Sequence, residues 1–360
     1  MTQKELRLFI SVGEESADLH ASRLCQELRI LLPELRIFGF GGAKMREAGV
    51  EILYPLPELA LIGFVEVIKH LPEVFKIKSL ALRCWKERKP DAILLVDYPG
   101  FHLRLVKEAN RMGIPVLYYI APQAWAWREK RVETMRETID RLFVIIPFEE
   151  SFFRKRGVNT LYTGNPLVER IPLPEDPSIS QRAPLHAPII GLLPGSRKSE
   201  LRHILPTLLE AASLLRQLRP NAEFILPLAD ALPESFLQHF AIPDWIKVSR
   251  DSDYRLRRTM TFAWTASGTA TVENALLGLP MAVVYRTHPV NMFLGRRLVR
   301  IPYIGMVNLI AEKGICPEYI QEQCQPHTLA RYADELLDNP RRYGEMLDDL
   351  RLLRQRLRSE

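Results

Sequence analysis

The sequence predicts an α/β protein of two doubly wound domains, each a parallel sheet with helices on both faces, arranged around one cleft. Two observations carry that reading. Short apolar or β-branched runs alternate with amphipathic stretches along most of the 360 residues, and such alternation implies parallel strands joined by crossover helices. Six prolines (Pro166, Pro172, Pro174, Pro177, Pro184 and Pro188) then interrupt the rhythm before it restarts, which marks a linker between two units. The length also suits two domains better than one core.

In chain order, the first set of strands is LRLFISV, LRIFGF, DAILLVD, IPVLYYI and DRLFVII. Helical patterns such as ASRLCQELRILL, FHLRLVKEANRM and WREKRVETMRETI lie between them. These define a domain over residues 1–165, followed by a linker over 166–188. The second set runs PIIGLLP, a helix around 205–218, AEFILPL, DWIKVS, TFAWTA, a helix from Thr269, and MAVVYR. It defines a domain over 189–340. A C-terminal helix over about 341–360 is placed to pack back on the first domain, and its exchange between two subunits would make a homodimer.

Composition narrows the class. With 47% hydrophobic and 26% charged residues the chain can form a packed interior. Its net charge of +6 suits phosphates, nucleic acid or an anionic membrane without choosing among them. The basic residues are dispersed and no nucleic-acid module signature occurs, so nucleic acid is not expected as a partner. Cys25, Cys84, Cys316 and Cys324 form no C-x-x-C pair and read as free thiols of a reducing compartment. No secretory h-region and no spanning apolar stretch is found. The expected location is therefore the cytoplasm, with at most peripheral contact to a membrane.

Ligands of doubly wound sheets sit beyond the carboxyl ends of the strands, so the residues where each strand breaks are the informative ones. In the second domain LLPGSRKSE breaks on Gly195, Ser196 and Arg197 at the mouth of a helix. TFAWTASGTATVE breaks on Ser267, Gly268, Thr269 and Ala270, with Glu273 one turn into the next helix. Neither is a Walker A loop or a G-x-G-x-x-G fingerprint. Both offer unpaired N–H groups at the positive end of a helix dipole, which attract phosphate. Two such loops on neighbouring strands favour a nucleoside diphosphate, with Glu273 free to accept the ribose hydroxyls. An ordinary helix cap is the simpler reading of either loop alone.

In the first domain SVGEESADLH ends the first strand. Gly13 permits a turn, Ser16 can cap the helix, and Glu14 and Asp18 add an acidic cluster better suited to sugar hydroxyls than to phosphate. LLVDYPGFH ends on Asp97, and Pro99-Gly100 turns the chain away. A carboxylate at a strand end with apolar walls should have a raised pKa and could act as a general base. A turn-forming Asp is the plainer alternative. Trp125 and Trp127 follow the next strand, placed either to pack or to line a ligand site. Asn165, in Gly164-Asn165-Pro166, stands at a hinge.

These stretches, taken together, resemble the lipid-A-disaccharide synthase family, glycosyltransferases with two Rossmann-like domains in the GT-B arrangement. The matching segments are GEESAD, IGFVEV, VDYPGF, APQAWAWREKR, PFEESF, GNPL, LLPGSR, ASGTATVE and VYR, in order. The resemblance implies transfer of 2,3-diacylglucosamine from UDP to the 6-hydroxyl of 2,3-diacylglucosamine 1-phosphate. The product is a β-1,6 disaccharide of lipid A and lipopolysaccharide biosynthesis, formed with inversion and with no metal or other cofactor. Carried over by position, Asp97 becomes the base, and Arg197 with Ser196 and the 267–270 helix start neutralises the diphosphate. Glu273 becomes the ribose ligand, and Glu14, Ser16, Asp18, Trp125 and Asn165 fall to the acceptor or sugar. The chain departs from the family pattern at Ala17, His102 and Asn165.

Three rival readings stay open on the residues. Asp251-Ser252-Asp253 is a D-x-D that could hold a divalent ion against a diphosphate, although Asp253 is also a natural helix cap. A UDP-sugar epimerase, or a transferase of soluble substrates, would keep the fold. A non-catalytic UDP-sugar sensor would keep Arg197 and Glu273 without needing Asp97. Two acylated substrates require a membrane surface, for which the apolar residues Phe64, Val67, Ile68, Leu71, Val74 and Phe75 are the candidates. Basic residues exceed the three Glu by four over residues 66–89, which fits peripheral association with the anionic cytoplasmic face of the inner membrane. A second basic patch holds Arg296, Arg297 and Arg300.

Overall fold

The computed structural model describes residues 5–55, 71–126, 129–171, 182–229, 232–288, 292 and 301–358. It divides into two compact units, Met1–Gly164 and Asn165–Glu360. Phe64, Val67, Ile68, Trp127, Arg296, Arg297 and Arg300 lie outside the described residues, as does the side chain of Leu71.

The first unit runs β1 (Arg7–Val12), α1 (Glu15–Leu31), β2 (Arg36–Gly41), α2 (Ala43–Glu47), β3 (Glu51–Pro55), α3 (Leu71–Arg88), β4 (Ala92–Val96), α4 (Pro99–Arg111), β5 (Val116–Tyr119), α5 (Arg131–Thr138), β6 (Arg141–Val144), α6 (Pro147–Arg154) and β7 (Thr160–Tyr162). Its seven strands are ordered β3-β2-β1-β4-β5-β6-β7, and every pairing is parallel. Helices cover both faces, so β1 is buried along nearly its whole length. Phe9 packs edge-on against Phe38, Phe40 and Trp85 on one face, whereas Ile10 and Val12 join Ala21 and Cys25 on the other.

The second unit runs α7 (Leu167–Arg170), β8 (Ile189–Leu193), α8 (Lys198–Leu218), β9 (Glu223–Leu228), β10 (Ile246–Arg250), α9 (Arg255–Thr259), β11 (Phe262–Ala266), α10 (Thr269–Leu276), β12 (Met281–Tyr285), α11 (Met306–Ala311), β13 (Glu318–Ile320), α12 (Pro326–Leu337) and α13 (Pro340–Arg356). The six-stranded parallel sheet has the order β10-β9-β8-β11-β12-β13. The C-terminal α13 lies against α10, and its Tyr343 hydroxyl donates to the Thr261 carbonyl at 2.8 Å. All four cysteines are buried, and burial pushes the Cys25 thiol up to about 12.

Three residues expected at a ligand or a membrane are instead structural. Asp18 is 4% exposed. Its Oδ1 accepts the Gly42 and Met45 N–H groups at 2.7 and 3.4 Å, and its Oδ2 accepts that of Lys44 at 3.0 Å. The carboxylate thus serves the otherwise unpaired donors at the start of α2. Asn165 is 8% exposed; its side-chain oxygen caps α7 through Leu167 N–H at 3.0 Å, and its own N–H donates to the Leu357 carbonyl. Both amide contacts fix where the second unit's chain starts, so its placement is that of a cap rather than of a sugar ligand.

Val74 is the third. With Ile77, Ala81, Cys84 and Trp85 it forms the α3 stripe, at helical spacing, that packs into the core of the first unit. It cannot also face a membrane. Phe75, its neighbour, is 63% exposed.

If Asp18 is the clasp of α2, Asp18→Ala leaves buried backbone donors unpaired and lowers stability by about 1–3 kcal/mol. Urea unfolding of the full chain measures this, with Asp18→Asn expected to lose less.

Candidate nucleotide pocket and strand-end carboxylate

Both sheets reverse their strand order at the first strand, between β1 and β4 and between β8 and β11. That is where a doubly wound sheet binds its ligand. In the first unit Val12 pairs with Val96, so Gly13 and Asp97 leave the sheet side by side. Asp97 and Tyr98 both take left-handed backbone angles, φ 52° and 51°, a conformation that costs about 1–3 kcal/mol per non-glycine residue. This pair makes the turn that the sequence assigned to Pro99-Gly100; Pro99 instead opens α4.

Three groups hold the strained turn. The Asp97 carbonyl accepts the Tyr118 hydroxyl at 2.6 Å and lies 2.6 Å from His102 Nδ1. His102 Nε2 lies 2.9 Å from Ser11 Oγ. His102 is fully buried, and burial drives its pKa down to about 4 against the smaller upward pull of the Asp97 carbonyl. The ring is therefore neutral near pH 7. It donates from Nδ1, the carbonyl having no proton to give, and accepts from Ser11 through Nε2. The third hold is packing: a Cβ on Gly13 would stand 2.1 Å from the Tyr98 ring. Gly13 is thus required for space, because that ring lies directly on it.

The Asp97 carboxyl is pushed up to about 6, first by burial and then by the negative charge of Glu14, with the Tyr98 N–H pulling the other way. Glu14 and Ser16 are exposed. Ser16 does not cap α1, which starts at Glu15 with Glu14 in the cap position. Trp125 is half-buried, packs edge-on against Phe148 and donates its indole N–H to Glu149 Oε1 at 2.9 Å.

In the second unit all eight residues assigned to a nucleotide from sequence (Gly195, Ser196, Arg197, Ser267, Gly268, Thr269, Ala270 and Glu273) line one cavity of about 390 Å³. Gly195, at φ 113°, lets the chain turn off β8. Arg197 then precedes α8 with its side chain 77% exposed and 3.3 Å from Glu200. Glu200 Oε2 accepts the N–H groups of Ser196 and Arg197 at 2.9 and 3.2 Å. The loop thus folds around a carboxylate of its own helix, in the way a capping box does, and its donors converge on one negative oxygen. On the other loop, Gly268 (φ 137°) offers no side-chain cap to α10. The first N–H groups of α10 therefore keep their attraction for an anion. The Ser267 hydroxyl donates to the Ile304 carbonyl at 2.8 Å, which fixes the loop.

Glu273 is held from two sides, by the Tyr254 hydroxyl at 3.0 Å on Oε1 and by Arg257 Nη1 at 2.8 Å on Oε2. Arg257 also ion-pairs with Asp251 at 3.0 Å. Each carboxylate oxygen of Glu273 keeps lone pairs for further donors. Asp251 does most of the capping that the sequence assigned to Asp253: its two oxygens accept the Leu256 and Arg257 N–H groups at 2.8 and 3.1 Å. Asp253 shares in the capping, its Oδ1 accepting the Arg255 N–H at 3.3 Å while its Oδ2 pairs with the Arg255 guanidinium. The two carboxylates of the D-x-D thus serve different partners. Among the described residues no group of three or more His, Cys, Asp or Glu is placed to hold a metal ion.

Tyr118, Arg257, Glu200 and Glu149 were not identified as site residues from the sequence. Glu200 had a signal in its capping-box distance from Arg197, whereas Tyr118 and Arg257 act across strands and carried none.

Comparison with known proteins gives the family and the fold. The model of the lipid-A-disaccharide synthetase family matches residues 8–360. The lipid-A-disaccharide synthase of Geobacter metallireducens is 38% identical over 348 residues, covering 94% of this chain and 90% of that protein. That of Koribacter versatilis is 38% identical over 98% of this chain and 94% of its own. Among solved structures, the UDP-GlcNAc 2-epimerase of Neisseria meningitidis, bound to UDP-GlcNAc, superposes with a TM-score of 0.62 at 12% identity, covering 95% and 94% of the two chains. MurG of Acinetobacter baumannii gives 0.57 at 13% identity, covering 97% and 95%. At such identities these two establish the fold alone, that of the GT-B glycosyltransferases. By the extent and identity of the sequence matches, the chain belongs to the lipid-A-disaccharide synthetase family of glycosyltransferases.

Proposed function

We propose that this chain joins UDP-2,3-diacylglucosamine to the 6-hydroxyl of 2,3-diacylglucosamine 1-phosphate, with inversion, releasing UDP. The observation that carries this reading is the gathering of the eight assigned residues around one cavity at the strand-order reversal of the second sheet. Family membership supplies the lipid A context.

The chemistry needs a base on the acceptor and charge stabilisation on the leaving group. Asp97, ionised above about pH 6, accepts the proton of the acceptor hydroxyl. As the new bond forms between that oxygen and the sugar C1, the bond from C1 to the diphosphate oxygen breaks and its electron pair leaves with UDP. The Arg197 guanidinium, the Ser196 hydroxyl and the first N–H groups of α10 take up the developing charge. Glu273, held by Tyr254 and Arg257, takes the ribose hydroxyls. A single displacement of this kind uses one carboxylate, and the tuning of Asp97 by burial suits that task. No metal is assigned to the reaction, and turnover unchanged in EDTA is the corresponding expectation.

Acylated substrates bring the enzyme to a membrane. Among the described residues no helix is long and apolar enough to cross one, and we assign peripheral contact with the cytoplasmic face to the segment containing Phe64, Val67, Ile68, Leu71 and Phe75.

Five outcomes test the proposal. Purified protein with both acylated substrates should form the disaccharide, and Arg197→Ala should lose more than ~100-fold in turnover; near-normal turnover removes Arg197 from the mechanism. Because the base must be ionised, kcat/KM should fall about tenfold per pH unit below roughly pH 6, and Asp97→Asn should reduce the rate and abolish this limb. Serine at Val67, Ile68 and Leu71 together should release the protein from co-sedimenting anionic vesicles, and unchanged sedimentation would remove the segment from the contact.

A further inference from the structure

Asp97, Trp125 and Glu149 follow the carboxyl ends of β4, β5 and β6, three adjacent strands of the first sheet. Glu149 is 1% exposed. Its Oε1 accepts the Trp125 indole N–H at 2.9 Å, and its Oε2 is enclosed with no hydrogen-bond partner. An ionised carboxylate with one oxygen shut away from water and donors is strongly disfavoured, so this geometry calls for the uncharged acid. Electrostatics agree. Burial pushes the Glu149 carboxyl up to about 8, the indole and the Ile146 N–H pull it back in part, and the negative charge of Asp97 pushes it up further. On its own helix the adjacent Glu150 is paired with Arg154 at 2.9 Å.

We propose that Glu149 is a positioning residue of the acceptor site, holding the Trp125 indole as a fixed wall beside the strand end that carries Asp97. This rests on the proposed function, in which Asp97 is the base and Trp125 lines the acceptor. The arrangement resolves a conflict at this strand edge. An aromatic wall needs an acceptor for its N–H to be held in one orientation. Beside Asp97 and Glu14, a further charged carboxylate would favour the protonated, inactive base still more. An uncharged carboxylic acid meets both demands: its carbonyl oxygen takes the indole N–H and it adds no charge. Glu149 also lies in the first turn of α6, where a plain helix-start role would account for its burial but not for a bond to Trp125.

A double-mutant cycle with the full-length protein separates the two roles. Glu149→Leu and Trp125→Phe should each raise KM for 2,3-diacylglucosamine 1-phosphate about tenfold, with smaller changes in kcat and in KM for the UDP donor. The double variant should be no worse than either single one, because the two side chains act as one unit. Glu149→Gln keeps an uncharged oxygen for the indole and should stay within about threefold of the wild type. Tryptophan emission, with Trp125→Phe subtracted, should shift in Glu149→Leu and stay in place in Glu149→Gln. Additive effects, an unchanged acceptor KM in Glu149→Leu, or an unmoved Trp125 signal would overturn the proposal. Should Glu149→Leu not fold, the acceptor KM of Trp125→Phe and the behaviour of Glu149→Gln decide. A wild type without transferase activity would refute the proposed function and with it the acceptor role, while the emission signal would still report whether Glu149 holds Trp125.

Discussion

A parallel strand must be followed by a right-handed crossover, which can pass over either face of the sheet. Where consecutive crossovers change faces, the helices part and the carboxyl ends of two adjacent strands are left uncovered. Each sheet of this molecule contains that constraint once, at β1/β4 and at β8/β11. Asp97 and Gly13 leave the first sheet at its reversal, and Gly195 and Ser267 leave the second at its own. On the proposed function, topology locates the chemistry before any side chain is considered. What the side chains add is the fixing of loops that the sheet itself would leave loose.

The two reversals are fixed by different means. In the second unit, charge does it: Glu200 gathers two backbone N–H groups, and Arg257 bridges Asp251 and Glu273. Acids and bases there cancel one another closely, so the pocket is shaped by ion pairs rather than by a surplus of cations. In the first unit, neutral groups do it. His102 is kept uncharged by burial and Tyr118 contributes a hydroxyl. Neutrality has a purpose at this end, since any fixed cation close to Asp97 would lower the pKa that burial has raised.

Much of this was legible in the sequence where a residue type has only one good use. Two anion-adapted loops at helix mouths on neighbouring strands stood out together, and both line the same cavity. Asp97 was legible because an ionisable group ended an otherwise apolar run. The structural partners of Asp18 could not be read, because they lie on a chain segment that one-dimensional spacing does not reveal, whereas the partner of the Asn165 side chain is local. The Gly42, Lys44 and Met45 amides lie more than twenty residues from Asp18. Val74 belongs to a stripe whose helical spacing fits a core and a membrane equally well, and only the presence of the sheet beneath α3 decides between them. The His102–Asp97 hold could not be read at all, since a histidine five residues after an aspartate carries no pattern of its own.

The bare backbone at Gly13 has a consequence for how this molecule can change over generations. Its neighbour across the sheet end is an aromatic ring already seated at close range, on a residue whose backbone is strained. Even a methyl group there would press on the ring, and through it on the turn that aims Asp97. The position is closed to ordinary drift by a hydrogen atom's worth of room. A lineage could reopen it only by altering the ring as well, which requires two coordinated changes where most loop positions need one.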